Sequence, residues 1–207
     1  VLGLLAVYVV LLSGLLILVT VALYPLTAVL GRVSLRSFAR GAAPAQLVAA
    51  GTQSSLASLP ALIEGAQDHL RLPPQVTSFV LPLSVSSFKL NQVISPTFKF
   101  LFLAHVFGIP LGVGEMATFL LVTLLLSFGV AGVPRGGGGF RTLPLFVAAG
   151  IPIVGAGPLA AVKTIPDAFM SVLNVTADLS VATILGRRIP QHAPEPAESV
   201  RQAVLAA

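Results

Sequence analysis

Four polar side chains near the C-terminal end of this 207-residue chain stand in a setting that should exclude them. The segment from Ile165 to Leu185 has the length and apolar content of a membrane span, yet Asp167, Ser171, Asn174 and Asp178 interrupt it at spacings of four, three and four. At about 100° per residue, those side chains share one narrow face of a helix. A carboxylate at bilayer depth costs roughly 2.5–3.5 kcal/mol on insertion scales. Such a strip persists where it lines a polar pocket or meets cations. The chemistry it points to is the holding of ions or polar solutes inside a membrane.

The elements that carry the strip follow from composition. The chain is 56% hydrophobic and 9% charged, with a mean hydropathy of +0.97, whereas a soluble domain is about 25% charged. An all-α integral membrane protein is expected, because only helices and closed barrels satisfy the backbone in lipid. The apolar stretches far exceed the ~10-residue alternating strands of a barrel. There is no cysteine, which excludes disulfides and thiolate metal sites. The net charge of +5 comes from scattered basic residues with few aromatics between them. That pattern is loop charge, and no nucleic-acid partner is expected. Val1 already lies in an apolar run without a basic leader or cleavage site, so the run is not read as a signal peptide. The expectation is a fragment preceded by further membrane helices.

Residues 1–31 contain no charge and are expected to form one span, closed by Arg32, Arg36 and Arg40. Residues 41–70 contain a polar centre, Gly51-Thr-Gln-Ser-Ser-Leu-Ala-Ser-Leu-Pro60, flanked by arms too short to cross a core of about 30 Å. Two short helices meeting at a polar tip predict a re-entrant hairpin; the alternative is a surface loop. Arg71-Leu-Pro-Pro74 reads as a turn. Residues 76–112 are too long for one straight crossing and are interrupted by Ser84–Gln92 and by Ser95-Pro96, which predicts a broken span. A second hairpin is expected over 116–157, its tip at Ala131-Gly-Val-Pro-Arg-Gly-Gly-Gly-Gly-Phe140; the alternative is a loop between two spans. Successive glycines there offer unhindered N–H groups to a ligand. A last full span covers 158–186, and 189–207 is expected to be a cytoplasmic tail.

In this arrangement Arg32, Arg36, Arg40, Arg71, Arg187 and Arg188 fall on one side, and the connections near Glu115 and Gly150–Gly157 carry no basic residue. That asymmetry obeys the positive-inside rule. It does not separate hairpins from full spans, since either returns the chain to the same side. Arm length favours hairpins.

Two hairpins flanking a broken helix, then a polar-striped final helix, resemble the dicarboxylate/amino acid:cation symporters, the glutamate-transporter family. Ser54-Ser55-Leu-Ala-Ser-Leu-Pro60 looks like the serine-rich tip of its first hairpin. Leu81-Pro-Leu83 is similar to the lead into its broken helix. Ala131-Gly-Val-Pro134 matches the second tip, and Asn174-Val-Thr-Ala-Asp178 resembles the family's Asn-Val-Thr-Gly-Asp. The resemblance covers about residues 1–188. It implies a membrane-embedded secondary transporter of elevator type that moves a small organic anion or amino acid. It further implies N-terminal scaffold helices absent from this chain, a homotrimer when complete, and no cofactor other than Na+ or H+ as coupling ion.

Residue by residue, the resemblance implies that Asp167 holds a substrate amino group and that Asn174 contacts a substrate carboxylate. Ser54, Ser55, Gly132, Val133, Pro134, Arg135 and Ser171 complete the implied substrate lining. Ser84, Phe88, Lys89, Asn174 and Asp178 form the implied ion-coupling set, with Asp178 as the sodium ligand if there is one. The departures carry weight of their own. Where the family's broken helix has Asn-Met-Asp-Gly-Thr, this chain reads Phe88-Lys-Leu-Asn-Gln92, so Leu90 replaces an ion-site aspartate. Met170 stands where the family has an arginine for a side-chain carboxylate, and Arg135 is new. Sodium coupling is therefore in question. Lys89 brings one positive charge, as sodium does, and could couple transport to protons instead; the alternative is a lysine that snorkels or pairs with Asp178. Arg135 could relocate the anion reader, by bidentate contact with a carboxylate; the alternative is a loop arginine facing headgroups.

Two other classes remain open. One is a transport-dead receptor or channel-like relative, suggested by the altered ion motif. The other is an intramembrane enzyme using a serine of 54–58 as nucleophile and Lys89 as base; the reading adopted is a non-enzyme. His69 and His105 have no spaced partner ligand, so no metal site is expected from them. Lys99 and Lys163 either snorkel or line the pocket.

Overall fold

The computed structural model describes residues 2–87, 89–128 and 143–189, and among these every regular element is helical. The order is α1 (Leu2–Leu30), α2 (Leu35–Thr52), α3 (Leu59–Asp68), a π turn (Val76–Val80) running into α4 (Leu81–Ser87), α5 (Asn91–Val106), α6 (Val113–Ser127), α7 (Leu143–Ala148), α8 (Ala156–Ala161) and α9 (Thr164–Gly186). Helix α1 is uncharged along its 29 residues and turns Val10, Leu18 and Val21 outward. It and α9 are long and apolar enough to cross a membrane. Hydroxyls on these helices fold back onto the preceding turn: Thr20 donates to Leu16 O, Thr27 to Leu23 O, Ser180 to Thr176 O and Thr183 to Leu179 O. That bonding keeps a hydroxyl satisfied where no water reaches.

Helices α1 and α9 lie side by side and parallel. At Gly31 an added Cβ would stand 3.0 Å from Thr183 Cγ2, so the close approach at this end requires a small residue. Tyr8, near the other end of α1, packs on Phe98 and Phe102 of α5 at centroid distances of 5.8 and 5.2 Å. Helices α2 and α3 form an antiparallel pair folded against α9. Its base is tied where Ser37 Oγ donates to His69 O, and Arg187 Nη2 donates to Leu70 O at 3.4 Å. Arg32, Arg36, Arg71, Arg187 and Arg188 thus gather at one end of the bundle. The pair's tip reaches the opposite end of α9, where Gln53 Nε2 donates to Thr164 O at 3.1 Å. The two arms touch at Gly41 and Gly65: a Cβ on Gly65 would lie 2.0 Å from Gly41 O.

Two apolar cores flank the middle of the bundle. One, at the arginine end, joins Phe38, Ala42, Ala45 and Ala49 of α2 to Leu62 and Ala66 of α3 and to Leu179 and Ala182 of α9. Small side chains there let backbones approach closely. The other joins Leu12 and Leu16 of α1 to Phe100, Phe119 and Phe146, with Phe100 stacked on Phe119 at 3.9 Å and Phe146 edge-on to both.

Several boundaries differ from the sequence reading. The first arm of the hairpin begins at Leu35, capped by Ser34, so Arg36 and Arg40 belong to α2 rather than to the close of the first span. The break in the long span includes residues 89 and 90, within the polar patch Ser84–Gln92; Ser95-Pro96 is no break, and Pro96 is carried in the second turn of α5, where it removes one internal bond without ending the helix. The last span starts at Thr164, and 156–161 is a separate short helix ended at Val162. The π turn precedes Pro82 and ends with the Leu81 N–H bonded five residues back, to Val76 O.

Candidate functional site

The polar strip of α9 faces inward. Ser171, Asn174 and Asp178 are all buried, while Asp167 in the first turn keeps 29% of its side chain exposed. Against this strip the chain brings the interruption between α4 and α5. Asn91, the first residue of α5, is bound twice by Asn174: its backbone N–H donates to Asn174 Oδ1 at 3.1 Å, and its Oδ1 accepts from Asn174 Nδ2 at 3.1 Å. A first-turn N–H has no partner within its own helix, so Asn174 supplies one from across the bundle. One turn further along α9, Asp178 Oδ1 accepts from Ser84 Oγ of α4 at 2.5 Å. Its second oxygen, Oδ2, is buried with no partner among the described residues. Each side of the helix break is therefore pinned to α9 by one polar residue.

Lys89 sits within the break. Its Nζ donates to Ser55 Oγ at the tip of the α2–α3 pair and to Val85 O at 3.3 Å. It lies within electrostatic reach of Asp178 but makes no ion pair with it; Lys163–Asp167, at 3.2 Å, is the one ion pair among the described residues. The fixed Lys89–Asp178 bridge is thus replaced by a contact between the break and the hairpin tip. The tip turn itself is held by Ser54, whose Oγ accepts from Ala57 N–H and whose carbonyl accepts from Ser58 Oγ. Gln53 takes the left-handed conformation (φ 53°) that ends α2.

Of the residues singled out from sequence, the fold thus joins Ser54, Ser55, Ser84, Lys89, Asn174 and Asp178 into one linked region, with Ser171 buried on the same helix. Asp167 stands at the open end of the strip, engaged by Lys163. Phe88 and the second tip, with Gly132, Val133, Pro134 and Arg135, lie outside the described residues. Two participants went unrecognised in the sequence. Asn91 was legible only as an amide directly after the break. Gln46 of α2 donates to Thr176 Oγ1 of α9 at 2.8 Å and bonds the Tyr24 hydroxyl of α1, which ties three helices behind the strip. A lone glutamine in an alanine-rich arm gave no sign of this.

The donor set is oxygen and amide, suited to a monovalent cation or a polar solute. Among the described residues no cluster of three His, Asp or Glu could hold a metal ion. A separate groove of about 800 Å³ opens between α1, α2 and α9, lined mostly by apolar side chains such as Ile17, Val21 and Phe169. It does not include the polar residues at the break.

Apolar helices that turn hydrocarbon outward and enclose polar groups at a helix break define a multi-pass membrane protein. The model of the sodium:dicarboxylate symporter family matches residues 1–188, and the chain belongs to that family. Relatives include the putative sodium-dependent excitatory amino acid transporter glt-4 of Caenorhabditis elegans, 31% identical over 85% of this chain and 35% of its own length. The proton/sodium-glutamate symport protein of Bacillus subtilis is 31% identical over 74% of this chain and 35% of its own length. Human excitatory amino acid transporter 3 is 30% identical over 68% of this chain and 27% of its own length. The chain thus spans about a third of the curated relatives it matches.

Proposed function

We propose that this chain is the substrate- and ion-binding portion of a secondary active transporter of elevator type, moving a small organic anion or amino acid across the membrane. The observation that carries this reading is the meeting of three interruptions at one place: the hairpin tip at Ser55, the helix break at Lys89 and Asn91, and the buried strip Asn174–Asp178. Helix ends and unsatisfied polar atoms at membrane depth are what a solute site requires.

In this reading residues 1–188 form the C-terminal part of a transport domain and 189–207 its cytoplasmic tail. Scaffold helices would come from additional sequence, and the complete protein would be a homotrimer. The α2–α3 pair is a re-entrant hairpin. Its tip meets Thr164, which lies level with about residue 12 of α1, roughly 15 Å short of that helix's far end at 1.5 Å per residue. The 10-residue α3 is also too short to cross. The region 116–157 is read as the second hairpin, with Arg135 as the relocated reader of a substrate carboxylate; residues 129–142 lie outside those described.

Asp167, Ser171, Asn174 and the tip residues Ser54 and Ser55 line the substrate. Ser84, Phe88, Lys89, Asn174 and Asp178 form the coupling site, and the unpartnered Asp178 Oδ2 is the natural ligand for a sodium ion. The Lys89 ammonium replaces a second bound cation, and its protonation, balanced by Asp178, couples transport to protons. The test is uptake by proteoliposomes in sodium-free buffer with and without an inward proton gradient. Uptake driven by the gradient supports the lysine role; an absolute sodium requirement overturns it. Ligand affinity with no counterflow points instead to a transport-dead receptor.

One contact favours a second reading. Lys89 and Ser55 are hydrogen-bonded, as a serine–lysine acyl-transfer pair would be. Against it, the relatives named above are transporters. Labelling by a serine-reactive probe that disappears in Ser55→Ala is the result that would favour the enzyme.

A further inference from the structure

We infer that the groove between α1, α2 and α9 is a binding site for an anionic phospholipid, with one acyl chain lying in the groove and the phosphate held by Arg36. The site is separate from the polar residues at the helix break. It stands whatever solute the chain carries.

The groove encloses about 800 Å³, and its walls are hydrocarbon: Ile17 and Val21 of α1, Leu35 of α2 and Phe169 of α9. Its polar side chains other than Arg36 are already engaged. Thr20 donates to Leu16 O, and Gln46 bonds both the Tyr24 hydroxyl and Thr176 Oγ1. A polar solute entering here would give up its hydration for no free side-chain partner except Arg36. An apolar chain gives up nothing.

Position and length select a lipid over a protein helix. The groove opens at the arginine end, where Leu35 and Arg36 form the first turn of α2. Its lining stops at Ile17 and Phe169, near the midpoint of the 29-residue α1. From Pro25 to Ile17, α1 rises about 12 Å at 1.5 Å per residue. That distance fits within one half of a hydrocarbon core of about 30 Å. A helix crossing the membrane needs about 20 residues and a seat through both halves. A lipid tail needs the depth of one leaflet.

Charge selects the headgroup. Arg36 is exposed and makes no ion pair among the described residues. Arg32 and Arg40 each lie four positions from it, and the N-terminus of α2 adds the positive end of a helix dipole. A guanidinium matches the oxygens of a phosphate. The gathering of arginines places this end on the cytoplasmic side, where the leaflet carries anionic lipids. A zwitterionic lipid fills the groove equally well but brings its own cation toward Arg36. A lipid so seated bridges α1 and α2 along the seam where Tyr24 and Gln46 already meet.

Native mass spectrometry of the full 207-residue chain tests the inference. The chain is released from micelles containing phosphatidylglycerol and phosphatidylcholine with identical acyl chains. Phosphatidylglycerol should be retained about fivefold or more over phosphatidylcholine, the effect of roughly one arginine at an anionic headgroup. Arg36→Gln should lose that factor. Arg188→Gln, at the same end but outside the groove, should keep it. Val21→Trp fills the groove from a position that is 59% exposed, so the fold should survive while retention of both lipids falls. Equal retention of the two lipids by the unaltered chain, or an unchanged preference in Arg36→Gln, overturns the inference. Undiminished retention in Val21→Trp overturns it as well, and leaves the groove to a protein helix.

Discussion

Asp178 and Asn174 both hold the broken helix, but they respond differently to loss of a partner. In Ser84→Ala the Asp178 carboxylate loses its one described hydrogen bond and remains buried with neither oxygen satisfied. An abandoned buried acceptor costs about 1–3 kcal/mol, more when charged. Ser84→Ala should therefore lower the melting temperature in detergent, and Asp178→Asn, which removes the charge, should melt near or above the unaltered protein while losing ion-dependent binding. A melting temperature for Ser84→Ala equal to the unaltered protein's would show that Asp178 is solvated or otherwise satisfied. Asn174→Ala should cost a similar ~1–3 kcal/mol, since it strips two bonds from Asn91 at the start of α5. The strip was legible in sequence because polar residues at helical spacing inside an apolar span are too costly to leave facing lipid and must turn toward polar partners. Asn91 and Gln46 were not, because their significance lies in partners 83 and 130 positions away, and no local pattern encodes that.

At the scale of elements, the α2–α3 pair depends on a contact with almost no tolerance. A methyl on Gly65 would sit 2.0 Å from the Gly41 carbonyl oxygen, and the obstacle is backbone, which cannot swing aside. Gly65→Ala should separate the arms and shift the tip, lowering folded yield and disturbing the Ser55–Lys89 contact. Gly51→Ala in the same pair meets nothing within 4 Å and should be neutral or gain up to about 1 kcal/mol from helix propensity. Comparable thermal stability for the two variants would contradict the packing. The elements themselves follow from arm length, turn residues and apolar runs, but their ends do not. In sequence the hairpin is bounded at residue 41, after the arginines; the first arm instead begins at Leu35 and carries Pro44 inside it. Of the two interruptions read in sequence, Ser84–Gln92 contains the one observed, where Lys89 meets the hairpin tip and Asn174 caps the next helix, while Ser95-Pro96 stays helical. Pro44 and Pro96 both lie beyond the first turn and each removes an internal N–H bond, a cost that the surrounding tertiary contacts outweigh.

For the molecule as a whole, the gathering of arginines at one end gives a sidedness that can be measured. Arg36, Arg71 and Arg187 lie around the base of the hairpin, where Ser37 meets His69 and Arg187 meets Leu70. Val113, at the start of α6, belongs to the other end: α5 runs past Tyr8 toward the far end of α1 before the chain turns into α6. The chain contains no cysteine, so single cysteines can be introduced without removing any native thiol. Arg71→Cys should react with a membrane-impermeant maleimide from one face of oriented vesicles, and Val113→Cys from the opposite face. Leu56→Cys, at the exposed hairpin tip, decides between a re-entrant hairpin and two full spans. A re-entrant tip lies at membrane depth beside a polar pocket, so it should resist the bulky maleimide and react with a small charged methanethiosulfonate, more slowly when a bound solute covers it. A tip exposed on the Val113 face by two complete crossings should react with both reagents equally fast and ignore solute. Labelling of Leu56→Cys by the maleimide from that face would remove the hairpin from the reading and, with it, the meeting of tip, break and strip at a common depth.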